Sequence, residues 1–477
     1  MTHAHPRTPP AHPADQRTRP VDQRTRLAHP PADGPTAPPA RPAGRAPLWD
    51  RRFTLYFTAR TVSLVGDAMM PVAAALAVGA LYGITGAGLV LGVWTGTFVL
   101  LVLFGGVLAD RFGARRMMVL ADLVRVLTQG VLAAAFFAGP PPFWLLMAMS
   151  AVAGAAVAMF LPGVNGMIPL VAREPQRANA TLKVADALAH LTGPALAGLL
   201  ITVTSAGTVY AIDAATFLLS ALCLALIRLD RSATPEDPFT DPDAPADAHG
   251  GRAGADAHAA PATVGGRSLR RDLRQGWQEF RARTWMWSVI LIWVFYGMLL
   301  FGPLVPLSSA LIGQRLGPNA YGLAVSSLGV GTVLGGLLAL RLRPVRPLAA
   351  GALAMALYTA LPLGVALGAG LPWLLAGHAV GGAGLAFWSV MWATSVQTHT
   401  PPAVLNRVTA YELAGSVSGI ALGQILAGPA TTLASPDRLL LLSAATCLLG
   451  CAALLTIPAI RTLHRDPEPT DTHPPRQ

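Results

Sequence analysis

Five acidic residues stand in apolar surroundings where a charge is costly. Asp67 lies midway along the apolar run 54–81, with Gly66 before it and Pro71 after it. An ionised carboxylate at the centre of a lipid-embedded helix costs about 2.5–3.5 kcal/mol or more. Asp67 is therefore expected either to face a cavity and carry a proton, or to be a hydrogen-bonded carboxylate that holds its helix against a neighbour. Asp122 and Arg125 are three residues apart and share a helix face, as a fixed structural pair or a coupling pair. Lys183 and Asp186 repeat that spacing and read as a structural, interfacial pair. Asp213 lies in a further apolar run, towards its outer side, and its role is left open. Glu412 lies one turn into the run 408–433, where it can pair with Arg407 or the basic loops, or act in gating. The proton-coupling candidates are thus Asp67, Asp122, Arg125, Asp213 and Glu412.

Other chemistries have no support. The sequence holds no Gly-x-x-x-x-Gly-Lys loop for ATP, no His-Glu-x-x-His and no matched Ser/His/Asp set. No catalytic residue, metal or cofactor is expected, and an intramembrane enzyme is disfavoured. Cys223, Cys447 and Cys451 sit in apolar runs without ligand spacing and read as core thiols. His190 and His378 read as hydrogen-bonded rather than titrating. Trp293 and Trp388 lie deep in their runs and are candidates for a cavity wall, with interfacial anchoring as the alternative for tryptophans near run ends.

The elements that position these residues follow from composition. Of 477 residues 53% are apolar and 12% are charged, about half the charge of a soluble chain. Apolar runs of bilayer length must be helices, because lipid offers no partner to a backbone N–H or C=O. Twelve spans are expected near 54–81, 87–108, 117–138, 143–163, 180–204, 208–228, 285–307, 320–340, 348–368, 372–394, 408–433 and 438–460. Residues 1–48 are rich in Pro, Arg, His and Ala and are expected to be a disordered tail, without a signal peptide, as are residues 463–477. A cytoplasmic linker is expected over 229–284. Within it, 268–283 has the pattern of a short helix on an anionic membrane surface or of a solvated one.

Charge orients the chain. The turns after spans 2, 4, 8 and 10 carry Arg111, Arg115, Arg116, Arg173, Arg177, Lys183, Arg341, Arg343, Arg346 and Arg407. Those after spans 1, 3, 5 and 9 carry no Lys or Arg. Cytoplasmic loops accumulate these residues, so both termini are expected inside a plasma membrane. The net charge of +11 is then a topology signal and not a nucleic-acid footprint.

A single shift of 230 residues superposes the halves. Gly105-Gly106-Val107-Leu108-Ala109-Asp110-Arg111 falls on Gly335-Gly336-Leu337-Leu338-Ala339-Leu340-Arg341, and Gly193 falls on Gly423. The expected architecture is an all-α membrane protein with two six-helix bundles, 49–228 and 285–462, of parallel topology, enclosing a cavity that opens to alternate sides.

The loop Gly106-Val107-Leu108-Ala109-Asp110-Arg111-Phe112-Gly113-Ala114-Arg115-Arg116 resembles the signature loop of the major facilitator superfamily. Ala114 departs from it where a basic residue is frequent. Gly66-Asp67, Asp122-x-x-Arg125 and the turn from Leu161-Pro162 to Asn179-Ala180 resemble the drug and siderophore (enterobactin-type) exporter branch. Gly193-Pro194-Ala195-Leu196-Ala197-Gly198 resembles the antiporter motif, with Ala189 in place of an earlier glycine. The resemblance implies a major facilitator fold. It also implies gating by Gly106, Asp110, Arg111, Gly113, Arg115 and Arg116, with Asp110 facing the N-terminus of span 11, and a tight central seal at Gly193, Pro194 and Gly198. The expected function is proton-antiport export of a hydrophobic or amphipathic small molecule by a monomer in a lipid bilayer. The alternatives are an uptake symporter or uniporter, and a transporter-like receptor or scaffold.

Overall fold

A computed structural model describes residues 49–172, 174–228, 284–400, 402–461 and 463, and leaves the side chains of residues 103, 106, 107, 109, 110, 165, 284 and 402–414 undescribed. The expected tails, most of the expected linker and the amphipathic segment 268–283 lie outside the described residues. Every described regular element is helical.

One helical run, Arg51–Phe112, contains two spans, because Gly83 (φ 66°, ψ −170°) breaks it. Only glycine takes that conformation cheaply, and the reversal needs no longer loop. We number the spans α1 (51–82), α2 (84–112), α3 (Ala114–Ala138), α4 (Phe143–Val171), α5 (Pro175–Val203) and α6 (Ala206–Leu226). The second half comprises α7 (284–316), α8 (Pro318–Arg341), α9 (347–366), α10 (Leu371–His399), α11 (Pro402–Ala430) and α12 (Pro436–Thr456). A π turn, Gly297–Phe301, interrupts α7, and a 3-10 turn, Ala356–Thr359, interrupts α9.

Ten helical runs among the described residues are long and apolar enough to cross a membrane. The first of these, Arg51–Val102, contains all of α1 and most of α2, and the 29-residue α11 completes the twelve. The helices extend past most of the expected span ends. α4, for example, continues to Val171 through Val-Asn-Gly-Met-Ile-Pro-Leu-Val, beyond the expected end at 163.

The 230-residue repeat governs the structure as well as the sequence. α6 and α12 differ by 230 at both ends, 206 to 436 and 226 to 456. Ser205 and Ser435 cap them identically, accepting from the backbone N–H of Thr208 and Arg438. Gly193 of α5 packs on Ala68 of α1, and its counterpart Gly423 of α11 packs on Met298 of α7, which is Ala68 shifted by 230. Small residues let these backbones approach where water supplies no drive between helices.

The halves meet through two crossings, which the same shift interchanges. At one, Gly88, Gly92 and Gly428 bring α2 and α11 together; at the other, Gly198, Gly322 and Gly329 bring α5 and α8 together. Both crossings lie towards the end of the bundle opposite the basic loops. That end holds a mostly apolar cavity of about 570 Å³, lined by residues such as Leu81, Gly139, Ser309 and Gly313.

A charged cleft in the first half

Three helices of the first half each carry polar residues seven apart, which is two turns and therefore one face. α1 presents Arg60 and Asp67, α3 presents Asp122, Arg125 and Gln129, and α6 presents Asp213 and Ser220. The fold turns these faces towards one another. The Arg125 guanidinium meets the Asp67 carboxylate in a two-pronged contact, Nη2 to Oδ1 at 3.3 Å and Nη1 to Oδ2 at 3.5 Å. It also lies 3.7 Å from Asp122 Oδ1. Ser220 donates to Asp122 Oδ2 at 2.6 Å. Aromatic faces hold the cation from the sides, with Arg125 Cζ 4.5 Å from the Phe217 ring centroid and 5.1 Å from that of Phe160.

Arg125 and Asp122 are buried, whereas the Asp67 side chain is 35% exposed. Asp67 thus looks into a cavity of about 430 Å³, whose wall also includes Arg60, Asp186 and His190. Asp213 lies behind that wall and is fully buried. Gln129 and Thr216 are its polar neighbours, yet neither carboxyl oxygen has a hydrogen-bond partner. Gly66 makes this arrangement possible: a side chain there would collide with the Asp213 carboxyl and the Thr216 hydroxyl.

The expected Lys183–Asp186 pair does not form. Asp186 lines the cavity instead, and its ion-pair contact is to His190 Nδ1 at 3.8 Å, one full turn along α5. The His190 ring also contacts the Asp186 carbonyl at 2.9 Å, and its side chain is 64% exposed. His378 is buried and hydrogen-bonded to the Leu374 carbonyl. The three cysteines are free and buried.

Residues from the second half close the cavity. Val305 and Gln424 reach its lining, and Thr95 donates to Gln424 Oε1 at 2.8 Å across the halves. At the other crossing the Ala195 N–H donates to Ser326 Oγ at 2.9 Å. In the antiporter-like segment Gly193 packs within its own half, Gly198 packs across to Pro318 and Gly322, and Pro194 lies between them. Trp293 and Trp388 stack at 5.0 Å and line a separate cavity of about 230 Å³ in the second half; neither lines the larger one.

In the loop motif, Gly113 takes a φ of 87° at the entry to α3. Arg115 donates to the Ile227 carbonyl at the end of α6, Arg111 lies over Phe112, and Arg116 is exposed. The side chains of Asp110 and Glu412, and with them the expected contact to α11, lie outside the described residues.

Sequence reasoning missed Ser220, Gln129, Arg60 and the Thr95–Gln424 bond. The first three were signalled by heptad spacing to a known charge. Nothing local marks the last, whose partners are 329 residues apart.

Comparison with solved structures gives the same fold at low identity. A nucleoside transporter, NupG, aligns with a TM-score of 0.63 at 12% identity over 84% of this chain and 98% of that one. An auto-inhibited POT family peptide transporter aligns at 0.62 and 16% identity, over 87% and 98%. Among curated proteins, the chain is 32% identical over 138 residues to the uncharacterized MFS-type transporter YfiS of Bacillus subtilis, covering 28% of this chain and 32% of that protein. It is 25% identical over 189 residues to macrolide efflux protein A of Streptococcus pyogenes, covering 38% and 46%. The alignments thus span less than half the length of these relatives. The model of the Major Facilitator Superfamily matches residues 56–411, so the chain belongs to that superfamily and is a multi-pass membrane protein.

Proposed function

We propose that the chain exports a hydrophobic or amphipathic small molecule in exchange for protons, by alternating access between its two six-helix halves. One observation carries the reading: Asp67 faces a cavity near mid-membrane while joined to the buried Arg125–Asp122 pair, with the fully buried Asp213 beside it. Three carboxyls share one close guanidinium. Charged groups gathered inside a bilayer are costly unless they serve function, and the exposed edge of Asp67 joins this group of acids to the cavity. Asp67, Asp122, Arg125 and Asp213 act as the proton-coupling unit, and Glu412 is a further candidate on α11.

The direction of transport rests on resemblance to the drug and siderophore exporter branch and on the partial similarity to a macrolide efflux protein. The Arg-rich turns favour a plasma-membrane protein with both termini in the cytoplasm. In that orientation the close crossings seal the outer side, and the cavity, with Arg60, Asp186 and His190 on its basic-end side, loads from the cytoplasm. Gly106, Asp110, Arg111, Gly113, Arg115 and Arg116 serve as the gating loop at that inner face. The working unit is a monomer.

The test is efflux from cells and proteoliposomes with a panel of compounds that includes macrolides, for the native chain and Asp67→Asn. Efflux that follows an imposed proton gradient and is lost in the variant supports antiport. Substrate movement indifferent to both gradient and variant ends it, and leaves a uniporter.

A further inference from the structure

The second half gives the 430 Å³ cavity almost no polarity. Val305 and Gln424 are its contributions to the lining among the described residues, and Gln424 is the polar one. Gln424 is 7% exposed and is fixed at two points. Its backbone carbonyl packs on Gly88 of α2, where a side chain would collide with it. Its Oε1 accepts from the Thr95 hydroxyl, two turns further along α2, at 2.8 Å.

The repeat does not impose that bond. The 230-residue shift carries Gln424 onto Pro194 and Thr95 onto Val325, which can exchange no side-chain hydrogen bond. Nor is the bond what a threonine in these helices makes by default. Thr192, Thr202 and Thr332 each donate to the carbonyl four residues back on their own helix. Thr95 donates across the halves instead, and because it donates it holds the oxygen end of the amide. The nitrogen end is thereby turned away from α2. Nε2 has no acceptor among the described residues, yet it is not a sealed, orphaned atom. It opens on the cavity that Gln424 lines.

A donor in that place discriminates between occupants. Asp67 and Asp186 line the first half's side. An acceptor oxygen turned towards them meets other oxygens, and turned towards Gln424 it meets two N–H groups. An occupant without an acceptor leaves those N–H groups stripped of water and unpaired, which costs free energy.

Resting on the reading above only in that the cavity is the substrate site, we infer that Gln424 determines specificity. Its Nε2 donates to a ketone, ester or ether oxygen on an otherwise apolar face of the substrate, and Thr95 is the positioning residue that turns the amide to do so. Packing between α2 and α11 needs only the oxygen end of the amide; recognition uses the other end.

The experiment uses the full chain purified in a maltoside detergent and three uncharged tricyclic compounds of nearly equal size: fluorenone, with an acceptor, fluorene, with neither donor nor acceptor, and carbazole, with a donor. Binding is measured by equilibrium dialysis against protein-free micelles, and the fluorenone C=O stretch by infrared difference spectroscopy. Fluorenone should bind about 2–13-fold more tightly than fluorene, the worth of one neutral hydrogen bond. Carbazole should bind no better than fluorene, and the bound C=O stretch should lie below its value in micelles. Gln424→Leu should erase the differences among the three and the shift of the stretch. Thr95→Val, which frees the amide to turn over, should weaken fluorenone and favour carbazole, and Thr95→Ser should keep the native order. Where Gln424→Leu fails to fold, the two Thr95 variants carry the test. Variants that lower the unfolding temperature but leave the order and the stretch untouched overturn the assignment, as do carbazole binding above fluorenone in the native chain, equal binding of all three, or binding of none. No gradient enters these readouts. The native preference for fluorenone without efflux of any compound in the panel above would end export and leave recognition by Gln424 standing; efflux without the preference would remove Gln424 from recognition alone.

Discussion

Gly193 and Gly198 lie five residues apart on α5 and face different halves of the molecule, which makes them a matched pair of probes. A Cβ on Gly193 would lie 2.7 Å from Ala68 Cβ and 3.0 Å from the Ala68 carbonyl carbon, within the first half. A Cβ on Gly198 would lie 2.9 Å from the Pro318 carbonyl oxygen and 3.1 Å from Gly322 Cα, across the halves. Ordinary contact begins at 3.4 Å. The alanine variants therefore need about 0.7 and about 0.5 Å of parting, and both meet backbone that no side-chain rotation can clear. Overpacking of this size costs about 1–3 kcal/mol.

The cost should appear in different places. Gly193→Ala strains a contact that both transport states share, so it should lower thermal stability in detergent. Under the proposed alternating access, Gly198→Ala strains a contact made only while the crossing end is sealed, so it should raise the population in which that end is open. A bias of about 1–3 kcal/mol changes that equilibrium about 5–150-fold. Ser309, 2% exposed on the wall of the 570 Å³ cavity, can report it. In a Ser309→Cys background, with the native cysteines buried, the rate of maleimide labelling should rise by that factor for Gly198→Ala and stay near the parent rate for Gly193→Ala. Unchanged labelling in a Gly198→Ala protein of lowered stability would refute the reasoning, because α5–α8 would then be a static packing contact.

Two further perturbations bear on the polar groups. Arg125→Met should destabilise the protein by about 3–5 kcal/mol by leaving Asp67 and Asp122 without their cation, read as a fall in unfolding temperature; Arg125→Lys should recover part of it, and an unchanged unfolding temperature in the methionine variant would refute the pairing. Ser326→Ala and Thr95→Val each remove one hydrogen bond between the halves, worth about 0.5–1.5 kcal/mol, and should raise Ser309→Cys labelling in the same sense as Gly198→Ala but by a smaller factor, with the double variant adding the two effects.

The fold was legible because its cause is local: a run of apolar residues long enough to span lipid has one way to pair its backbone, and the shift of 230 residues could be counted on the page. The members of the charged site were legible one helix at a time. Asp67, Asp122, Arg125 and Asp213 drew attention because each is a charge in an apolar run. Their union was not legible, since which face of α6 meets α1 is decided by Gly66, whose missing side chain leaves room for Asp213. Lys183 and Asp186 show the opposite failure. Spacing alone made them a pair, but Asp186 lies on the cavity face, where His190 one turn on is its neighbour.

The division between the halves follows from what a rocking motion can keep. α1, α3 and α6 belong to one bundle, so the contacts of Arg125 to Asp67 and Asp122 need not break as the halves move. An ion network spanning the halves would have to strip and rebuild buried charges in every cycle, at several kcal/mol for each broken pair. The shift-related positions of the second half, Gly297, Met355 and Ser443, carry no charge to oppose it. Among the described residues, the hydrogen bonds between the halves are neutral, Thr95 to Gln424 and Ala195 to Ser326, at about 0.5–1.5 kcal/mol each. Sums of that size are within reach of the differential binding of a substrate or a proton. Under the proposed alternating access, a cavity that holds its described charges in one bundle, with uncharged hydrogen bonds across its outer crossings, can therefore change sides without breaking the Arg125 ion pairs.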